Sequence, residues 1–176
     1  MRAAVLAFAA LLLTGCRPRL DFPYALRPAR TGPAVFANQE VLFKLPGGRT
    51  ERLLTTVENT GGKASVVAST VLGQTLFILT WTDGPAQVDA RVPLPPELDP
   101  RFLATLIELS DWPLDEARQG LPEGAELLEA DQVRTLRRGG RTLLVLTREG
   151  AAPPWRRVRL RFPAFGVEAE ITTLED

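Results

Sequence analysis

Beyond residue 34 the chain alternates apolar and polar positions with a period of two, broken at short intervals by glycine, proline and asparagine, and that pattern predicts strands. Residues 35–45 and 49–58 flank Pro46-Gly47-Gly48, and Asn59-Thr60-Gly61-Gly62 leads into residues 63–71. Three strands in a meander fit this spacing. Residues 75–82 follow Leu72-Gly73-Gln74, with Phe77, Leu79 and Trp81 on one face and Leu76, Ile78 and Thr80 on the other. Both faces are largely apolar, so this strand is expected to be covered on both sides or to look into a cavity. Residues 86–92 alternate cleanly after Asp83-Gly84-Pro85, which leaves one side wet.

Mid-chain the period changes. Asp99-Pro100 reads as a helix N-cap and first position, and Phe102, Leu103, Leu106, Ile107 and Leu109 form a broad apolar face behind it. A second short helix is expected from about Asp111-Trp112-Pro113-Leu114 to Gly120. Strands then return at residues 126–130, 133–138, 141–147, 155–162 and 167–174, with Gly139-Gly140 as a two-residue hairpin turn and residues 143–146 as a central strand. With so many strands and short turns throughout, pairing is antiparallel and the sheet curls. The expected fold is mainly β: an antiparallel twisted half-barrel with two short helices as a lid on its concave face.

Ahead of the sheet, Arg2, the apolar run 3–13 and the small residues that follow have the build of a secretory signal. That run is shorter than the roughly 20 residues a membrane-spanning helix needs. It ends in Leu13-Thr14-Gly15-Cys16, which resembles the bacterial lipobox, so residues 1–15 are expected to be removed and Cys16 to carry lipid. The chain has no other cysteine, and acylation accounts for a thiol with no partner in an oxidising compartment. Prolines at 18, 23, 28 and 33 then predict an extended tether over residues 17–33. Its arginines Arg17, Arg19, Arg27 and Arg30 face either solvent or lipid phosphates. Residues 34–176 are the expected folded domain, a single one.

Composition narrows the chemistry. The whole chain of 176 residues carries 21 basic and 21 acidic side chains, and loss of Arg2 with the signal takes its net charge from 0 to −1. Nothing in that balance favours nucleic acid. It contains no histidine, and its one cysteine is assigned to lipid, so His- or Cys-based catalysis and ordinary zinc or copper sites are not expected. No cofactor and no metal are expected. A carboxylate hydrolase would need two facing carboxylates, and no motif singles out such a pair. In the last hairpin Arg157, Arg159 and Arg161 share one face; pairing Phe162 with Val167 sets Arg161 opposite Glu168 and Arg159 opposite Glu170. Ion pairs on a solvated face explain them better than a phosphate site.

Three stretches together carry a resemblance to the LolB and LolA superfamily of bacterial outer-membrane lipoprotein proteins. They are Val71-Leu72-Gly73-Gln74-Thr75, then Trp112-Pro113-Leu114 with Arg118 and Gly120-Leu121-Pro122-Glu123-Gly124, and the lipobox at Cys16. Pro95-Pro96-Glu97-Leu98 and Trp112-Pro113-Leu114 also resemble an uncharacterised LolB-like lipoprotein group. The resemblance implies an antiparallel half-barrel that binds acyl chains inside, and by position it would give Leu72 the role of an exposed leucine that helps lipoproteins pass into the membrane. Phe77, Leu79, Trp81, Phe102, Leu106 and Trp112 are the candidates for lining such a cavity, with ordinary core packing as the alternative.

The expectation is therefore a lipoprotein anchored to the outer membrane through Cys16, its domain in the periplasm, binding or transferring a lipid or acylated molecule without catalysis. Arg17 after the cysteine, in place of aspartate, favours the outer membrane. A periplasmic carrier protein is an expected partner, nucleic acid is not, and the chain is expected to be monomeric. The competing expectation is an envelope scaffold or protein-binding module of the same fold with a filled core.

Overall fold

A computed structural model of the chain describes residues 23–94 and 99–175. The signal, Cys16, the first part of the tether and Pro95-Pro96-Glu97-Leu98 lie outside the described residues. One antiparallel sheet of ten strands holds most of the rest, one for each of the ten alternating segments. A first meander runs through β1 (Val35–Lys44), β2 (Thr50–Asn59), β3 (Ala64–Ser69), β4 (Thr75–Trp81) and β5 (Gln87–Ala90). A second runs through β6 (Ala125–Ala130), β7 (Val133–Arg138), β8 (Arg141–Glu149), β9 (Arg157–Phe162) and β10 (Val167–Thr173). Tight turns make each strand pair with its successor, as at Gly139-Gly140, where φ values of 55° and 77° suit a hairpin turn closed by Arg138 and Arg141. The two meanders meet where β1 pairs with β10, Val41 opposite Ile171, so β5 and β6 are the two free edges.

The crossover between those edges carries α1 (Pro100–Asp111) and α2 (Leu114–Gln119). Asp99 caps α1 as expected, its Oδ1 accepting from the Arg101 N–H at 2.9 Å, with Pro100 following. From Leu103 to Asp111 every residue of α1 is buried. An amphipathic lid would keep one polar face in water; this helix lies inside the curl with sheet on more than one side of it. Trp112, 1% exposed, continues the packing and stacks on Trp81 with ring centroids 6.4 Å apart. In β10 and β9 the register matches the expectation, Arg161 opposite Glu168 and Arg159 opposite Glu170. Arg159 pairs with Glu170 at 3.2 Å and with Glu149 on β8 at 2.7 Å.

Residues 23–33 differ from the free tether that proline spacing suggests. They are a strap bound to the domain. The Ala25 N–H donates to Gly120 O at 2.9 Å and the Ala29 N–H to Thr82 O at 2.8 Å, while Asn59 Nδ2 donates to the carbonyls of Ala29 and Pro33. Ala29 is fully buried. Arg27 reaches Gln119 Oε1 at 2.7 Å and Glu116 at 3.6 Å, and Arg30 pairs with Asp83. Proline set the extended backbone correctly; the partners that dock it come from far along the chain.

Two glycines make this docking possible through close approach. A Cβ on Gly32 would sit 2.2 Å from the Trp112 indole, and one on Gly120 would sit 2.5 Å from Ala25 O and from the Tyr24 ring. Gly120 has ordinary helical angles (φ −81°, ψ −7°), so contact with the strap and not a left-handed turn is what calls for glycine there. Gly32→Ala is expected to lower stability by about 1–3 kcal/mol through overpacking against Trp112, read as a lower urea midpoint at unchanged slope. Gly62→Ala, where a Cβ meets nothing within 4 Å, is the control and should leave the midpoint nearly unchanged.

Candidate functional site

The concave side of the sheet is filled unevenly. Where β1 to β4 face α1, Phe77, Leu79, Trp81 and Trp112 are 0 to 3% exposed and packed together. Under α1, facing β7 to β9, there is an apolar cavity of about 240 Å³. Phe102, Leu106 and Leu109 of α1 form its roof, Leu143, Leu144 and Phe162 its floor, and Arg138 stands at its rim. The rings of Phe102 and Phe162 meet across it at 5.5 Å. A groove of about 520 Å³ adjoins it and shares three of its wall residues, Pro23, Phe102 and Thr105.

Of the seven candidates, Phe102 and Leu106 line the cavity. Phe77, Leu79, Trp81 and Trp112 line neither space and belong to the packed core. Leu72 stands apart at the tip of the β3–β4 turn, 93% exposed beside the exposed Val71. The sequence reading missed Leu109, Leu136, Leu143, Leu144, Phe162 and Phe165 as lining residues. For Leu143 the cause is visible in the register. Leu136 pairs with Leu144 while Arg137 pairs with Thr142, so Leu143 is the extra residue of a β-bulge and joins Leu144 on the cavity side. Strict alternation would have sent it to the other face.

A buried polar cluster holds the C-terminal end of α1. Arg134 on β7 and Arg148 on β8 are 4% and 5% exposed. Arg134 Nη1 donates to Leu109 O at 2.7 Å, Arg148 Nη1 lies 3.4 Å from Ser110 O, and Trp155 Nε1 donates to Ser110 O at 3.0 Å. These are the carbonyls a helix end leaves without partners, and positive charge is favoured there. Glu129 on β6 bridges the two guanidiniums at 2.5 and 3.0 Å, and Arg148 stacks 4.6 Å over the Trp155 ring. Burial works against the charge of Glu129, yet the hydrogen bond and charge of Arg134, then of Arg148, hold its carboxyl below the usual value. Asp111, bonded to Ser110 Oγ at 2.6 Å, is pushed up by burial to about 6.

A second cluster ties the strap to the C-terminal half of α1. Glu108 is fully buried, and its Oε2 accepts from the Arg27 N–H at 2.9 Å. Its Oε1, Tyr24 Oη and Trp81 Nε1 are buried without a closed hydrogen bond. Burial pushes the Glu108 carboxyl up to about 7 against the lowering pull of Arg27, Tyr24 and Trp81. Burial and the Glu108 charge together raise the Tyr24 phenol. Among the described residues no group of three or more carboxylates converges as a metal site, and no described helix is long and apolar enough to cross a membrane.

A carboxyl held near 7 in the folded chain and near 4.5 in the unfolded one binds its proton more tightly when folded. Its contribution to stability is therefore full below about pH 4.5 and is lost as pH rises through 7. Glu108→Gln, which keeps the acceptor for Arg27 and removes the charge, is expected to raise stability at pH 8 and to flatten the decline between pH 5 and 7. Chemical denaturation across that range measures it.

Comparison with known proteins gives a family match and two similar solved structures. A domain model described as "Protein of unknown function (DUF3261)" matches residues 37–175, the whole sheet and both helices except the start of β1. No curated protein matches the sequence. Among solved structures, the chain is similar to a LolA superfamily protein from Nitrosomonas europaea, at 12% identity and TM-score 0.46, over 84% of this chain and 88% of that one. It is also similar to a domain described as outer-membrane lipoprotein-sorting from Vibrio parahaemolyticus, at 11% identity and TM-score 0.44, over 80% of this chain and 83% of that one. The match over residues 37–175 shows that the chain belongs to the DUF3261 family.

Proposed function

We propose that the protein shelters the hydrocarbon part of a lipid or acylated molecule in the cavity under α1, from a position on the outer membrane where lipidated Cys16 holds it. The observation that carries this reading is the half-open apolar space between Phe102, Leu106 and Leu109 above and Leu143, Leu144 and Phe162 below, in a sheet whose other half is packed solid. A dry cavity of about 150 Å³ is enough to hold benzene. At about 240 Å³ this one accepts a ring or a short run of chain, and a longer tail continues into the adjoining groove of about 520 Å³, which brings the pair into the usual range of ligand sites. The work done is transfer of apolar surface out of water, with no bond made or broken.

Leu72 supports the delivery side of this function. An apolar side chain 93% exposed on a turn beside Val71 has no packing role, and it can enter a membrane or a partner's apolar site at little structural cost. The competing scaffold reading draws on the filled half of the concavity, where Trp81 and Trp112 stack, and predicts a protein partner in place of a lipid one.

Organic-solvent extraction of the purified protein, after exhaustive exchange of bulk lipid, followed by mass spectrometry separates the two. A retained acyl lipid in the wild type that is lost in Leu143→Arg, a half-buried site at the bulge, is the expected result. Extracts of both that equal a blank, with a protein recovered by cross-linking, would reject the lipid reading in favour of the scaffold.

A further inference from the structure

The cavity under α1 carries a charge that its apolar walls do not need. Leucine and phenylalanine make up most of the lining, and among the described residues that line it Arg138 is the one with a charged side chain. Arg138 closes the β7–β8 hairpin directly opposite Arg141. Residues that face each other across an antiparallel pair lie on one side of the sheet, with Cβ atoms about 4.5–5.5 Å apart. Both arginines therefore stand on the concave side at the cavity rim, and both are exposed. Like charges so placed repel, and among the described residues neither forms an ion pair. The neighbour of Arg138 on β6 is Ala125, so no acid reaches it from that strand. On the same two strands Arg134 and Arg148 are treated differently, since Glu129 bridges them. An arginine stem can cover an apolar wall while its head stays in water, but one arginine does that. A second one opposite adds only repulsion until an anion lies between them.

We propose that the guest is an amphiphile with an anionic head, carboxylate or phosphate, held between Arg138 and Arg141 while its acyl chain runs under α1. The inference rests on the reading that the cavity takes an acyl chain, and adds the class of head and the direction in which the guest lies. Guanidinium groups match both anions because their planar forks give two parallel hydrogen bonds to carboxylate or phosphate oxygens. Two forks on facing positions reach one anion from both sides, and the repulsion between them becomes attraction to the guest. Direction follows from where the charges sit. The adjoining groove meets the cavity at Pro23, Phe102 and Thr105, and its own charged residues, Asp99 and Arg101, are of opposite sign. The hairpin is thus the cationic end, and the chain runs from it past Leu143 and Phe102 toward the groove.

Photolabelling of the full-length protein in lipid nanodiscs tests this, with three diazirine-bearing probes of one chain length: palmitic acid, hexadecyl phosphate and hexadecanol. At a pH where the acid is ionised, both anions should label the peptide holding Leu143 and Leu144 more strongly than the alcohol does. Arg138→Gln should cut labelling by the anions about fivefold, Arg138→Gln with Arg141→Gln should cut it further, and neither should change labelling by hexadecanol. Arg137 lies opposite Thr142 and Glu126 on the other side of the sheet, so Arg137→Gln is the control and should match the wild type. High salt should shrink the advantage of the anions, because the arginines are exposed. Loss with either anion sustains the proposal, and the probe that loses more tells carboxylate from phosphate. Equal labelling by all three probes, unchanged in the double variant, would overturn the head assignment and leave the cavity reading standing. No labelling of that peptide by any probe would remove both.

Discussion

The arrangement depends on how one helix end is held. A helix buried on all sides brings its last carbonyls into a place without water, where each lacks a partner. Arg134 and Arg148 supply donors and positive charge to Leu109 and Ser110 from adjacent strands, and Glu129 spans both. Buried arginines without such acceptors would be costly; here the helix end and the carboxylate take up Arg134 and the two terminal nitrogens of Arg148, whose Nε stays unpartnered. The consequence is geometric. The last carbonyls of α1 are pinned to β7 and β8, and the space that remains lies beneath the helix, roofed by Phe102, Leu106 and Leu109.

The strap acts on the other side of the same helix. Glu108 accepts from the backbone of Arg27, Gly120 accepts from Ala25, and Trp112 covers Gly32. Sheet and strap thus grip α1 at different points, and the strap is also the route from the domain toward Cys16. A protein built to exchange an apolar guest needs a firm frame beside a yielding site, since the least stable parts of a fold are where such motion occurs. The arginine cluster provides the frame. The half-buried side chains around the cavity, Phe102, Leu143 and Phe165 among them, provide the part that can yield.

Much of the fold was readable from local pattern. Period-two alternation located the strands, Asp99-Pro100 marked the start of α1, Gly139-Gly140 marked a hairpin, and the Phe162–Val167 pairing followed from the turn between them. These signals are carried by neighbours in sequence. The site was less legible because its determinants are not. Leu143 enters the lining through a bulge, the strap docks on groups as far away as Glu108, and Arg134 and Arg148 take their role only from α1 set against their strands. Apolar candidates such as Phe77 and Trp112 have the same pattern as Phe102 and Leu106, and only packing sorts core from cavity.

The central claim is that a guest enters beneath Phe102, Leu106 and Leu109 of α1 while the last carbonyls of the helix stay pinned. Methyl NMR of the protein titrated with a medium-chain fatty acid tests this most directly. Saturable shifts at Leu106, Leu109, Leu143 and Leu144, with Leu79, Leu127 and Val66 unmoved, are the predicted result. Shifts spread evenly over the core, or none at the cavity methyls, would contradict it.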